Sequence, residues 1–324
     1  MTIIPLANLY RRLGLYNIAE PLFQRALKIN ENALGEHPLD TTLILSNLAL
    51  MYSQQGLYSK AEPLYLRALA IRVKVLGVEH PKSSISLNNL AGLYNNQGLY
   101  NKAQPLAKRA LAIDFTFLQR QAPYLALSER QSFVKNVGNA FESVFSSAAR
   151  GDSGAELAMF SRLNRQGLLE EIEKRQAQLA ALPGPQQEIS EELRAVTQQL
   201  ASVSLIAKQR QSLSERKEEL EKQLYRLLPE LQPRLVEVQQ VAAVLPDDSV
   251  LIEFQRYEPF DGTKPLGRRW DEARYMALLL TADGEIEHVD LGLAKPLERK
   301  IQQALRASEG RSLNAQELWV ELGE

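Results

Sequence analysis

Apolar residues recur every three or four positions from the amino terminus to Ile113, with polar and charged residues between them. This spacing places the apolar side chains on one face of a helix and predicts a series of amphipathic α-helices. The helices come in pairs: "TTLILSNLALMYSQQG" predicts a first helix, and "GLYSKAEPLYLRALAIRVKVLG" predicts a second. A glycine separates the two, and a proline near the start of the second is expected to cost little there. Each unit is therefore predicted to be two antiparallel helices.

The helix pairs recur with a fixed period. Gly14, Gly56 and Gly98 follow one another at the same interval, which defines a 42-residue period. Other small and aromatic residues keep the same spacing, namely Tyr10, Tyr52, Tyr94, Ala26, Ala68 and Ala110. Strict periods of about 20 to 50 residues are typical of solenoids, in which each unit buries its apolar face against its neighbours. Residues 1–113 are therefore predicted to form a helical solenoid.

Three in-phase copies of one segment carry a family resemblance: "GLYNIAEPLFQRALKI" at 14–29, "GLYSKAEPLYLRALAI" at 56–71 and "GLYNKAQPLAKRALAI" at 98–113. They closely resemble the tetratricopeptide repeat, in the 42-residue form found in kinesin light chains and in many bacterial proteins. The resemblance implies a superhelical scaffold that binds peptides or protein segments in its concave groove. It implies no enzymatic chemistry in this part of the chain.

Four amide side chains are candidate groove residues. Asn47 and Gln54 are seven residues apart, as are Asn89 and Asn96, so each pair lies on one face of a first helix. In the resembled family an asparagine in "NNLA"-like sequence hydrogen-bonds an extended peptide, and Asn47 and Asn89 match that position. The first repeat departs from the pattern, with Pro5 there. The alternative is that all four are ordinary exposed polar positions.

Helical spacing continues over residues 114–244, but the repeat phase is lost. A helix is predicted from about Ala155 to Leu182, and "PGP" at 183–185 ends it. Beyond it an apolar seam follows alternating steps of four and three, at Ile189, Leu193, Val196 and Leu200. We expect a helical spacer that contains a long antiparallel hairpin turning at "PGP". An intermolecular coiled coil is the alternative.

The pattern changes again over residues 245–324. Val250, Ile252 and Phe254 alternate with more polar residues and predict a strand. "RYMALLLTADGEIEHVDLG" predicts a hairpin that turns near Asp283 and Gly284, and a helix follows. The apolar run "MALLL" is typical of a strand buried on both faces, with helices above and below the sheet. This segment is predicted to be the incomplete start of an α/β domain.

The order of these parts carries a second resemblance. Repeats of this length, then "LNRQG" at 163–167, then "LPDDSVLIEFQRY" at 245–257 resemble bacterial proteins that join tetratricopeptide repeats to a caspase-like CHAT domain. The resemblance implies a cysteine peptidase fold whose histidine and cysteine lie on later strands. No residue of this chain inherits either role. The sequence is therefore expected to be a fragment of a longer bacterial protein.

Composition excludes several classes of function. The chain has 38 Lys and Arg against 39 Asp and Glu, so it lacks the positive field that attracts nucleic acid or an anionic membrane. It has no cysteine, which excludes disulfides, thiolate metal sites and a cysteine nucleophile. No apolar run is long enough to span a bilayer, and the amino terminus is unlike a signal peptide. We expect a soluble, cytoplasmic protein without nucleic-acid or membrane partners.

The 3 histidines do not indicate a catalytic or metal site. His37 and His80 precede prolines in equivalent loops, which favours a structural role. His288 is close in sequence to Glu287 and Asp290, but strand alternation places Glu287 on the opposite face and leaves too few metal ligands. Phosphate-binding glycine loops and the G-x-S-x-G elbow are absent from the sequence. No catalytic residue, metal or cofactor is expected in this chain.

Two functions fit these patterns. The first is a protein-interaction scaffold that binds peptide segments in the repeat groove, as the regulatory portion of a caspase-like peptidase. The alternative is a stand-alone, non-enzymatic adaptor. Both predict peptide binding, and they differ at the carboxyl end, where only the second predicts a closed small domain. The sequence leaves the oligomeric state open.

Overall fold

A computed structural model gives the fold of the chain. It describes residues 3–32, 38–126, 128–130, 132–133, 144–145, 148, 154–165, 168–181, 183–200, 207–227, 233–259 and 271–309. The chain divides into two compact units, one formed by Met1–Ala140 with Asn164–Leu235 and the other by Phe141–Leu163 with Val236–Glu324. The domain boundaries at 113 and 244 stay predictions.

Six helices form the three predicted pairs. They are α1 (Ile3–Arg12), α2 (Tyr16–Asn32), α3 (Pro38–Gln54), α4 (Tyr58–Leu76), α5 (Pro81–Asn96) and α6 (Tyr100–Gln121). Each pair packs closely, and each second helix that precedes another pair also contacts the first helix of that pair. Alanines at equivalent positions, Ala19, Ala61 and Ala103, are buried in one continuous apolar core. The helical solenoid predicted from the sequence period is confirmed.

The periodic glycines end the first helices in the same way. In the second pair, Gly56 has φ of 74°. The Leu57 N–H bonds the Tyr52 carbonyl at 2.9 Å, and the Gly56 N–H bonds the Ser53 carbonyl at 3.1 Å. These two bonds satisfy carbonyls that the helix end leaves free, in the arrangement called a Schellman motif. The positive φ is costly for any residue with a Cβ, which explains why glycine recurs.

The periodic prolines depart from the prediction. Pro63 lies in the second turn of α4, which begins at Tyr58, and Pro21 and Pro105 lie equally far inside α2 and α6. At that depth an ordinary residue would donate its N–H to a carbonyl four residues earlier. Each proline therefore removes one intrahelical hydrogen bond, and the expectation that it costs little for lack of a partner is wrong. The helices continue through the prolines because their apolar faces are packed.

A tyrosine–glutamate hydrogen bond joins neighbouring repeats and recurs with the period. The Tyr52 hydroxyl donates to Glu20 Oε1 at 2.6 Å, linking α3 to α2. The Tyr94 hydroxyl donates to Glu62 Oε1 at 2.7 Å, linking α5 to α4. Both tyrosines are buried. Burial and the bond to Glu20 raise the pKa of Tyr52 to about 12. The bond to Glu62, with burial, raises the pKa of Tyr94 to about 12.

One interior position carries a different polar residue in successive repeats. Arg72 on α4 is buried and donates to Thr42 Oγ1 at 3.1 Å and to Ser86 Oγ at 2.6 Å. At the equivalent position of the next repeat, the buried Asp114 accepts from Ser84 Oγ at 2.5 Å. Burial raises the pKa of Asp114 to about 6, although the bond from Ser84 opposes the shift. Neither charge has an ion-pair partner among the described residues, so both depend on hydroxyl groups.

Four helices of the middle region are described: α7 (Ala155–Arg165), α8 (Leu168–Ala180), α9 (Gln186–Leu200) and α10 (Ala207–Leu227). The helix predicted from Ala155 to Leu182 is described in two segments, α7 and α8, and residues 166–167 between them lie outside the described residues. The closest packing in this region is between α9 and α10. Arg216 pairs with Glu192 at 2.6 Å, while Arg210 Nη1 donates to the Leu200 carbonyl at 3.1 Å, so the two helices run antiparallel. An antiparallel hairpin exists, but it does not turn at "PGP".

Helix α10 also packs against the chain that follows the third repeat. The Arg130 side chain is fully buried, and its guanidinium lies 4.5 Å from the centre of the Tyr225 ring. Its Nε donates to the Ala122 carbonyl at 2.8 Å, which satisfies a carbonyl beyond the end of α6. Nearby, Lys222 pairs with Glu129 at 2.8 Å. Helix α10 therefore packs against the end of the repeat region within the first compact unit.

The second unit contains a three-stranded antiparallel sheet. Strands β1 (Val250–Tyr257), β2 (Arg274–Thr281) and β3 (Ile286–Leu293) lie in the order β1-β2-β3, after a short helix α11 (Val238–Ala242) and before α12 (Ala294–Glu309). The predicted hairpin is confirmed, and Gly284 in its turn has φ of 87°.

Both faces of the sheet are approached by helices. On one face α7 approaches β1, where Arg162 Nε donates to Glu253 Oε2 at 3.0 Å. On the other face α12 approaches β2, where the Tyr275 hydroxyl donates to Glu298 Oε1 at 3.2 Å. The middle of strand β2 is accordingly buried, as the run "MALLL" predicted. The resemblance to a caspase-like domain stays a prediction.

Candidate peptide-binding face

The candidate amides lie on two adjacent helices. Asn47 and Gln54 are on α3, and Asn89 and Asn96 are on α5. The first helices of consecutive repeats contact each other, so equivalent positions on α3 and α5 are neighbours. We call the stripe formed by these four residues the amide face. On α3 the opposite side carries the buried Leu45, Ala49 and Tyr52, which holds the amide face toward solvent.

The two asparagines at the matched position share one environment. Asn47 and Asn89 are both half-buried. Within the described part of the chain, neither side-chain amide has a hydrogen-bond partner. Half-buried amides usually find partners, because removing a donor and an acceptor from water without replacement costs free energy. Two such amides at equivalent positions therefore provide a repeated donor and acceptor pair available to a ligand.

The other two candidates differ from each other. Asn96 is exposed and, in the described residues, its amide has no hydrogen-bond partner. Gln54 is occupied, because its Oε1 accepts from Arg11 Nη1 at 3.1 Å. Arg11 lies on α1 and also donates to Asn8 Oδ1, so it connects the first repeat to the amide face. Sequence reasoning missed Arg11 because its equivalents, Ser53 and Asn95, carry no matching charge and give no periodic signal.

Aliphatic side chains interleave with the amides. Leu43 is 49% exposed and Leu50 is 36% exposed, and they flank Asn47 on α3. Ile85 on α5 is 51% exposed and occupies the position equivalent to Leu43. On both helices no ionisable residue lies on the stripe between its first aliphatic and its last amide. The side chains of these two stripes therefore offer hydrogen bonds and apolar contacts without carrying a charge themselves, and the Arg11 guanidinium adjoins them at Gln54.

The histidines have structural positions where the structure describes them. His80 caps α5, and its Nδ1 accepts from the Lys82 N–H at 3.0 Å. His288 lies on β3 opposite Leu278, while His37 is outside the described residues. In the described ranges no group of three or more His, Cys, Asp and Glu residues is placed to hold a metal ion. Among the same residues, no helix combines the length and apolarity needed to cross a membrane.

The tetratricopeptide repeat family matches this chain in two adjoining segments. One family model matches residues 40–114. A second model matches residues 6–40. The region that contains α1 to α6 is therefore built of tetratricopeptide repeats, as the sequence predicted.

Solved structures include similar chains. A crystal structure of a Podosopora anserina putative kinesin light chain with nearly identical TPR-like repeats is 21% identical, covers 68% of this chain and 94% of that chain, and has a TM-score of 0.35. A second crystal structure of that protein, with a substitution, is 21% identical, covers 69% and 95% of the two chains, and has a TM-score of 0.34. Among curated proteins, no match to this chain is found.

Proposed function

We propose that this protein is an interaction scaffold whose amide face binds an extended peptide segment of a partner protein. The observation that carries the proposal is the pair of half-buried amides, Asn47 and Asn89, which lack partners among the described residues. An asparagine amide can donate to one backbone carbonyl and accept from one backbone N–H. An extended peptide presents both groups along its length, so consecutive repeats can hold one strand at two points.

The proposal is tested by selection from a displayed library of random peptides against the full chain. Selected peptides are then measured against an Asn47→Ala/Asn89→Ala double variant. Losing about 1 kcal/mol per site predicts an affinity decrease of about 30-fold. The matched control is Asn101→Ala, which removes an exposed amide from α6. Binding that is equally strong in the double variant and the control would contradict the proposal.

We propose further that the scaffold is the regulatory portion of a longer caspase-like peptidase. Support comes from the sheet: the apolar Val250, Ile252 and Phe254 on β1 are 46%, 48% and 58% exposed on the face that α12 covers only in part. A continuing domain would bury such a row. The peptidase hypothesis predicts that residues 245–324 fold poorly by themselves, whereas the alternative, a stand-alone adaptor, predicts that they form a closed, stable small domain.

Sequencing the gene beyond codon 324 separates these two alternatives. The peptidase hypothesis predicts an in-frame continuation that encodes a histidine-bearing strand and then a cysteine-bearing one. A stop codon directly after codon 324 would overturn that hypothesis and leave the peptide-binding scaffold. The peptide-binding proposal does not depend on this outcome.

A further inference from the structure

One position on the amide face carries a different residue in each repeat, namely Asn8, Leu50 and Gly92. Gly92 lies between Asn89 and Asn96 on α5, and its equivalent on α3 is Leu50, between Asn47 and Gln54. The two helices are otherwise alike along this stripe, with an aliphatic residue followed by two amides. A leucine side chain on one helix thus corresponds to no side chain on the other.

Nothing inside the described structure requires glycine at this position. Its φ is not in the left-handed region, and a Cβ added there would meet no atom within 4 Å. A glycine inside a helix is less favourable than alanine by about 1 kcal/mol. The residue therefore weakens α5 without relieving a clash or a strained turn. A missing side chain on an exposed helix face leaves room for the close approach of a second molecule.

The surroundings of the gap define what can approach. Asn89 and Asn96 lie one helical turn before and after it, and Leu50 holds the equivalent sequence position on α3, a helix that contacts α5. Ile85 lies further along the same stripe and is exposed. None of these residues is charged, so a charged group placed in the gap would lose water without gaining an ionic partner. A large apolar side chain would instead gain contact with carbon atoms that are exposed in the free protein.

We propose that the gap at Gly92 is a specificity notch that receives one large apolar side chain, of the Leu, Ile, Met or Phe type, from the extended peptide held by Asn47 and Asn89. This inference rests on the proposed peptide-binding function and names the class of ligand: an uncharged segment anchored by a single bulky apolar residue. Alternate side chains of an extended peptide point to the same side, so backbone capture by the amides directs one side chain toward the helix.

The test compares peptide selections on two forms of the full chain. The wild-type protein is expected to select peptides with a large apolar residue at one fixed position. Gly92→Leu, which copies the residue of the preceding repeat, is expected to bind those same peptides roughly 10- to 100-fold more weakly, because filling the notch excludes the anchor side chain. Gly92→Ala is also expected to weaken binding of these peptides, but by less.

Thermal unfolding provides the control for folding. Both substitutions place a better helix former in open space, so Tm is expected to stay equal or to rise. If Gly92→Leu bound the selected peptides as tightly as the wild type and kept the same apolar preference, the proposed notch would be wrong. The peptide-binding function would remain intact. Failure of the wild type to select any peptide that depends on Asn47 and Asn89 would overturn both.

Discussion

Replacing the tyrosines at the repeat junctions by phenylalanine tests how far hydrogen bonds between repeats hold the solenoid together. Tyr52→Phe and Tyr94→Phe each keep the buried ring and remove one hydroxyl that donates to a glutamate of the preceding repeat. Hydrogen bonds to charged groups contribute about 1.5–3 kcal/mol. Glu20 and Glu62 are half-buried, so water can partly replace the lost donor. We therefore expect each substitution to lower the free energy of unfolding by about 1 kcal/mol, below that range.

Combining the two substitutions in one double variant gives a larger change in the free energy of unfolding, which is easier to measure. The two junctions share no residues, so their effects should add to about 2 kcal/mol. The assay is urea unfolding of the full chain followed by far-UV circular dichroism at pH 7. The matched control is Tyr58→Phe, since the half-buried Tyr58 hydroxyl has no hydrogen-bond partner in the described residues. If Tyr52→Phe and Tyr94→Phe are no less stable than this control, the inter-repeat bonds do not stabilise the solenoid and the reasoning is refuted.

The same tyrosines predict a dependence on alkaline pH. Their pKa in the folded state is about 12, against 10.0 for an unperturbed tyrosine. A pKa raised by folding means that the stabilisation is complete below pH 10 and is lost as the pH rises through 12. The wild type should therefore lose stability over this range, and the double phenylalanine variant should lose less of it. If the stability of the two proteins fell equally with pH, the raised pKa values of Tyr52 and Tyr94 would be contradicted.

Three further substitutions test other parts of the structure. Burial raises the pKa of Asp114 to about 6 from 3.8, so the wild type should lose stability as the pH rises from about 4.5 to about 7.5. Over that range the stability of Asp114→Asn should rise by about 2 kcal/mol relative to the wild type. No relative gain would contradict the buried charge. Arg130→Lys should lower Tm and cost about 2–3 kcal/mol by weakening the stacking on Tyr225 and the carbonyl bonds, and an unchanged Tm would refute this. Gly284→Ala should cost about 1 kcal/mol in urea unfolding because the turn requires positive φ, whereas a neutral effect would mean that the turn rearranges.

The repeat region could be predicted because each of its signals occurs more than once. Gly14, Gly56 and Gly98 mark the same backbone turn, and alternatives that explain one of them fail at the others. The β-hairpin was also predictable, since the Asp283–Gly284 turn lies between two runs of strand-like residues. In both places local backbone chemistry and apolar spacing indicate the same element.

The failures have a different physical origin. An apolar seam such as that from Ile189 to Leu200 identifies which face of a helix is buried, but not which neighbour covers it, so the hairpin was given the wrong turn. Arg72 and Asp114 appear in the sequence as ordinary charged residues, and their burial depends on hydroxyls from other helices. Within the candidate site, the engagement of Gln54 by Arg11 depends on one contact between repeats that no periodicity signals.

The contrast between the repeat junctions and the repeat interiors bears on how such a chain can be altered by recombination. The Tyr52–Glu20 and Tyr94–Glu62 hydrogen bonds join equivalent positions, so deleting or duplicating one whole repeat in frame would form the same bond again. The interior position held by Arg72 and Asp114 is less interchangeable. Both use the hydroxyl at one equivalent position, Thr42 or Ser84, but Arg72 also needs Ser86, and the preceding repeat has Ile44 at that position. Unequal crossing-over would conserve the tyrosine–glutamate bonds between repeats but leave a buried charge without its full set of partners. A rearranged array of these repeats is therefore expected to keep the repeat period and to lose stability.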